Sequence, residues 1–221
     1  MPIDDQFVYD PPTAPLDILY EDEDLVIINK PAGLLSVMGR LTEHRDSAYS
    51  RILQHFPNAK VTHRLDMATS GILIFAKHRD AEVAMSRLFQ QRAIQKTYTA
   101  LVLGELIGHG LIDVPLITDW ENRPRQKIDY DIGKSAQTKY QAVRYMREYQ
   151  CTEVSLQPIT GRSHQLRVHM LYLGHPIVGD KIYNSQAKNT HTNQMALHAS
   201  QIEFIHPLQK KEILIKSQPN F

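Results

Sequence analysis

The sequence predicts an α+β protein built on a mixed or antiparallel sheet, and three observations lead there. Short apolar runs of strand character far outnumber segments with helical spacing. The two kinds do not alternate strictly, as a doubly wound parallel sheet would require. A chain of 221 residues with 42% hydrophobic content is also large enough for one domain, or one domain of two lobes, around a sizeable core.

Residues 1–15 hold four Pro and three Asp without apolar periodicity, so a flexible or draped, acidic, Pro-rich segment is expected there, outside the core. The folded domain is expected over residues 16–221. Residues 25–29 (LVIIN) read as a buried strand, residues 30–33 as a turn and residues 34–37 as a second short strand. Residues 46–56 have helical spacing, with Ala48, Tyr49, Ile52, Leu53 and Phe56 on one face and Asp46 or Ser47 as N-cap.

Residues 71–76 (GILIFA) form another buried-strand run, followed by a helix over 80–93 with Val83, Ala84, Leu88 and Phe89 inward. Residues 96–103 alternate, with Tyr98, Ala100 and Val102 on one face and Thr97, Thr99 and Leu101 on the other. Shorter strand signals lie at 111–114, 127–130, 137–145, 151–157, 195–205 and 212–216. A helix over 163–173 is stopped by Gly174 and Pro176, and the polar stretch 184–193 is expected to be a surface loop.

Composition excludes several classes. Cys151 is the only cysteine, so an intramolecular disulfide and a Cys-based zinc site are both out of reach, and a reducing compartment fits best. No apolar run reaches the length of a membrane span, and the acidic start is unlike a signal peptide, so a cytoplasmic protein is expected. The net charge of +1 hides an asymmetry: residues 1–24 hold eight acids and no Lys or Arg. The rest sets 25 basic against 16 acidic residues, a net of +9 that leaves a polyanionic partner possible.

Three groups of residues could carry chemistry. Residues 63–71 pack His63, Arg64, Asp66, Thr69 and Ser70 against a buried strand, where polar groups must be hydrogen-bonded or used. Asp66 is the candidate carboxylate; the plainer alternative is a turn in which it caps the Thr69 N–H. Residues 158–169 form a loop opening a helix, whose free N–H groups and dipole favour an anion. His164, Arg167 and Leu171 share a face there, so Arg167 can reach a carboxylate or phosphate at the helix start; a solvated basic helix is the alternative. His164 and His169 are five apart and point to different faces, which argues against a two-His metal site. Tyr98, facing inward from a strand, is either core or, beside the Asp66 loop, a ring that supports a base.

Taken together, residues 29–34 (NKPAGL), 63–66 (HRLD) with 69–71 (TSG), 96–98 (KTY) and 161–167 (GRSHQLR) resemble the motifs of the RluA family of pseudouridine synthases. They agree in order, identity and spacing from about Leu16 to the C-terminus. The resemblance implies two lobes around a catalytic cleft, and uridine isomerisation in structured RNA. The expected targets are a loop uridine of 23S large-subunit rRNA and a uridine in the anticodon stem-loop of tRNA. Many relatives carry an S4-type RNA-binding domain; with its first motif at Asn29, this chain is expected to lack one.

The resemblance makes Asp66 the essential catalytic aspartate, lets Tyr98 stack on the target base and take its C5 proton, and pairs Arg167 with Asp66. The reaction breaks N1–C1′ and joins C5 to C1′. Whether Asp66 attacks C1′, removes a sugar proton or attacks C6 stays open. No cofactor or metal is expected, and a monomer is. Flipping the nucleotide out costs a few kcal/mol, which contacts elsewhere must offset. Arg64 and Arg162 are the expected phosphate contacts or space fillers, with His63 and His164 counted beside them. Lys30 has either a structural part or an RNA contact. Two rival functions are a metal-independent RNA hydrolase using His63 or His164 as acid and base, and a non-catalytic RNA-binding protein.

Overall fold

The computed structural model describes residues 8–184 and 192–221. Part of the expected N-terminal segment (1–7) and most of the expected polar loop (185–191) lie outside the described residues. The chain forms two compact units, one of residues 9–96 and 198–220 and the other mainly of residues 97–197.

The first unit is built around β4 (Ser70–Ala76), in which every residue is buried. One side of β4 pairs antiparallel with β2 (Leu25–Lys30), from Leu25↔Ala76 to Lys30↔Gly71, and β1 (Asp17–Glu21) extends the sheet beyond β2. β4 also pairs antiparallel with β3 (Lys60–Val61) at its C-terminal end. At its N-terminal end it pairs in parallel with β11 (Leu197–Ile205) through His198↔Ser70 and Ala199↔Gly71. β12 (Glu212–Lys216) runs antiparallel to β11. Gly71 permits that close parallel approach: its φ is +106°, and a Cβ would stand 2.6 Å from Ala199 N.

Two helices belong to this unit. α1 (Ala48–His55) starts from a capping box in which Ser47 Oγ accepts the Ser50 N–H (3.0 Å) and Ser50 Oγ accepts the Ser47 N–H (2.8 Å). It buries Ala48 and Ile52, and the Tyr49 ring stacks 6.0 Å from Phe75 of β4. α2 (Arg79–Gln90) buries Ala81 and Met85, while Val83, Ala84, Leu88 and Phe89 are only half-buried. The buried stripe, at the i, i+4 pair Ala81 and Met85, therefore lies to one side of the expected face.

The expected strand at 34–37 is a loop, because its backbone is used elsewhere. Leu35 and Ser36 carbonyls accept the N–H groups of Ala48 and Tyr49 at the start of α1, and the Leu35 N–H donates to Tyr9 Oη (3.0 Å). Of the two forms expected for residues 1–15, the described part from Tyr9 onward is draped on the fold, with Tyr9 itself reaching the core. Tyr9 is buried and donates to the Asp46 carbonyl (2.9 Å). Arg51, paired with Asp46, donates to the carbonyls of Pro12 (2.6 Å) and Ala14 (3.0 Å). Main-chain acceptors and one tyrosine leave no periodic pattern in a sequence, so this anchoring had no signal. Two of the acids of residues 17–24 are also engaged: Glu21 pairs with Lys77 at 2.9 Å, and Asp22 Oδ1 accepts the N–H groups of Asp24 and Leu25 in the turn from β1 to β2.

In the second unit β5 (Gln95–Leu103) pairs antiparallel with β10 (Cys151–Pro158), β10 with β9 (Gln137–Met146), and β9 with β6 (His109–Asp113). β7 (Leu116–Thr118) and β8 (Gln126–Ile128) form a separate hairpin. α3 (Gln165–Tyr172) buries all of Gln165 to Met170, polar residues included. A network satisfies them: Gln165 Oε1 accepts from Thr160 Oγ1 (2.7 Å) and Arg162 N (3.0 Å), and its Nε2 donates to Gln137 O and Thr138 Oγ1 (both 2.9 Å). His169 Nδ1 meets Thr138 Oγ1 at 2.9 Å, and burial takes its pKa down to about 4.

Deleting residues 1–15 is expected to lower the stability of the first unit by about 2–4 kcal/mol, from lost buried hydrogen bonds and the Tyr9 ring. Urea unfolding of the truncated and full chains measures it. An unchanged midpoint would return the segment to the outside of the fold.

Candidate functional site

The densest arrangement in the first unit surrounds residues 63–69, and its centre is Lys30. The side chain is fully buried, and Nζ donates to the carbonyls of Pro31 (2.8 Å), Leu34 (2.7 Å) and Met67 (3.2 Å). Three acceptors use all three N–H bonds of the ammonium. Burial brings its pKa down to about 7, and the charge of Asp66 works in the opposite direction. Two further bonds tie the same segments together: the Gly33 N–H donates to Met67 O (2.9 Å), and Ser36 Oγ donates to Leu65 O (2.7 Å) while accepting the Leu65 N–H (3.0 Å).

This clasp fixes both residues flanking Asp66. The Thr69 N–H goes to the Asp66 main-chain carbonyl (3.1 Å), so the turn closes through the backbone and does not rely on the carboxylate as its cap. Asp66 is half-buried and Arg64 is exposed. Beyond the loop, Ser70 Oγ meets His198 Nδ1 at 2.8 Å, and His198 Nε2 meets Ser217 Oγ at 3.0 Å. Burial lowers the His198 pKa to about 4, so this buried chain is neutral.

Two of the residues expected to touch RNA have their polar atoms engaged within the fold, Lys30 fully buried and His63 half-buried. Lys30 offers no surface to a phosphate. His63 Nε2 accepts the Ile74 N–H of β4 (3.1 Å), and its ring lies 4.9 Å from Phe89. Burial, with Lys96 nearby, takes its pKa down to about 3. A ring held neutral as an acceptor for the strand is unsuited to acid–base work near pH 7.

The second unit holds Tyr98, Arg162, His164 and Arg167. Tyr98 is half-buried on β5, on the face that buries Ala100 and Val102. Arg162 is exposed, and its Nε donates to Ser135 O at 3.0 Å. Arg167 is buried on α3 and donates through Nε and Nη2 to Asp180, at 2.7 and 2.8 Å. Burial alone would raise the Asp180 pKa; the bonds and charge of Arg167 and the N–H groups of Ile182 and Tyr183 outweigh it, holding the carboxyl below its usual range. This fork fixes the guanidinium plane.

Tyr183 completes that seat. Its ring lies 5.1 Å from the Arg167 guanidinium, and its hydroxyl meets His164 Nδ1 at 2.8 Å and accepts the Gln126 N–H at 2.7 Å. His164 has φ +53° at the start of α3. Sequence reasoning missed Asp180 and Tyr183. The available signal was Gly179 before Asp180: its φ is +75°, and a Cβ there would overlap the Gln194 carbonyl.

Among the described residues, Asp22, Asp24 and His206 bring donor atoms within 4.8 Å of one another. His206 Nε2 faces the two carboxylates at 3.3 and 3.8 Å. Its Nδ1, however, accepts the N–H groups of Leu208 and Gln209 (3.3 and 3.0 Å). The ring therefore carries its proton on Nε2 and turns an N–H, not a lone pair, toward the carboxylates. That is a poor start for a metal ligand.

The sequence profile described as RNA pseudouridylate synthase matches residues 24–172. The dual-specificity RNA pseudouridine synthase RluA of Escherichia coli (strain K12) is 47% identical over 215 residues, covering 96% of this chain and 98% of that protein. The protein of the same description from Vibrio vulnificus (strain CMCP6) is 48% identical over 204 residues, covering 90% of this chain and 82% of the other. Among solved structures, human RNA pseudouridylate synthase domain containing 1 superposes with a TM-score of 0.78 at 27% identity, over 95% of this chain and 86% of that one.

Lys30→Met would leave three carbonyls short of a donor, that of Leu34 fully buried, at about 1–3 kcal/mol for each that water cannot reach. Thermal unfolding is expected to show a loss of several degrees. A variant as stable as the wild type would mean that the clasp does not depend on the ammonium.

Proposed function

The chain belongs to the RNA pseudouridylate synthase family, and on that premise we propose that it isomerises uridine to pseudouridine in RNA. The N1–C1′ bond breaks, C5 joins C1′, the C5 proton leaves and N1 gains one, so atoms balance without a cofactor. The observation that carries the reading is Asp66: a half-buried carboxylate on a loop whose flanking residues are pinned by buried hydrogen bonds, next to an exposed arginine. A reacting group must be held within a fraction of an ångström of its target, and such a loop is built for that.

In this reading Asp66 acts ionised, whichever of the three routes it takes. Tyr98 stacks on the target base and takes its C5 proton. Arg167, oriented by Asp180, keeps the role of partner cation to Asp66 that the family motifs imply. The exposed Arg64 and Arg162 contact the RNA backbone or fill the space left by the flipped base. The two RNA classes are a loop uridine of large-subunit rRNA and a uridine of a tRNA anticodon stem-loop, in keeping with relatives described as dual-specificity. The enzyme acts as a cytoplasmic monomer and needs no metal.

Tritium release from RNA labelled at uridine C5 tests this directly. We expect release with the RNA chain intact, unaffected by chelator and abolished in Asp66→Asn. Cleaved RNA would favour a hydrolase, and binding without release would favour a bare RNA-binding protein.

A further inference from the structure

Trp120, the only tryptophan of the chain, is 67% exposed at the tip of the β7–β8 hairpin. Most of that ring is open to solvent and free to meet a ligand. The tip is nevertheless closely ordered: Asp119 N donates to Arg125 O (3.0 Å), Asn122 N to Asp119 O (3.2 Å) and Arg125 N to Asn122 O (3.0 Å). Arg123 Nε donates to Trp120 O at 3.1 Å, and its guanidinium lies 5.1 Å from the indole centroid. The ring is therefore presented in a fixed position with a cation on it.

The base of the hairpin is equally well held. Gln126 N donates to Tyr183 Oη, and the Arg125 guanidinium lies 5.6 Å from the Tyr183 ring. Arg123, Arg125 and Lys127 place three cations within five residues, against two acids at the tip, Asp119 and Glu121, of which Asp119 accepts from Asn122 Nδ2 at 2.9 Å. A flat ring with an arginine on it, beside further cations, matches an unpaired nucleotide: the base offers a π face and the phosphate a negative charge. A paired stem hides its bases from such a ring.

We propose that Trp120 is a stacking platform for an unpaired base of the RNA substrate, with Arg123 fixing the ring and meeting the adjoining phosphate. This rests on the RNA-modifying reading above and adds a specificity residue to it. The platform selects loops over duplexes before any base is flipped.

The test uses the full chain and a short RNA stem-loop with a uridine-containing loop, beside a fully paired duplex of equal length. Because there is one tryptophan, intrinsic fluorescence reports this ring alone. We expect the stem-loop to quench it and the duplex to leave it nearly unchanged. Trp120→Ala should raise Kd and KM for the stem-loop by roughly ten- to a hundredfold, with the loss falling on KM more than on kcat. Trp120→Phe should recover most of it. The deficit of Trp120→Ala should persist at high salt, whereas Arg123→Ala should flatten the salt dependence.

Unchanged emission with a stem-loop that the protein isomerises, or an unchanged KM in Trp120→Ala, would overturn the platform and leave the isomerase standing. Quenching by protein concentration alone, without RNA, would point to a second copy of the chain and also overturn it. Failure to isomerise any RNA would overturn the functional reading and this inference with it.

Discussion

A buried lysine joins the turn after β2 to the loop that carries Asp66. Lys30 Nζ closes on three carbonyls, two from the turn after β2 and one, Met67, from the residue after Asp66. Taking a lone amine out of water is costly, and only full hydrogen bonding and a nearby negative charge make it tolerable. Asp66 supplies that charge. The same electrostatics therefore keep Lys30 buried and the Asp66 loop in place.

The rest of the first unit can be seen as support for this clasp. β2 delivers Lys30 and β4 begins just beyond the loop, so their antiparallel register sets the distance the lysine must bridge. Gly71 lets β11 lie against the start of β4, and the Ser70–His198–Ser217 chain ties that strand further. Tyr9 and Arg51 hold the segment before β1 against α1 and the Leu35 backbone. In the second unit the corresponding device is the Asp180 fork on Arg167, backed by Tyr183. In both, a buried basic side chain with every bond directed is the fixed point.

Much of this framework is legible in the sequence. LVIIN and GILIFA announce buried strands because both of their faces are apolar, and Ser47 announces α1 because a short hydroxyl before an amphipathic run is a cap. The four motifs that mark the family also place Asp66, Tyr98 and Arg167 at defined points of the fold. Burial of polar residues is what the pattern hides. Nothing in NKPAGL says that the lysine points inward, and nothing in HRLD says that its histidine serves a strand while its arginine faces solvent. Residues 34–37 read as a strand because they are apolar, although their backbone partners are α1 and Tyr9. Asp180 and Tyr183 are hard to read for a similar reason: apart from Gly179, no pattern ties them to Arg167 and His164, which lie 13 and 19 residues away.

Hydrogen exchange on the full chain bears most directly on the claim that the Asp66 loop is held rigid from beneath. The amides of Gly33 and Leu65, which donate to Met67 O and Ser36 Oγ, should exchange as slowly as those of β4, opening only with the unit as a whole. Exchange at the rate of an open surface loop would mean that the clasp does not hold, and that Asp66 owes its position to something else.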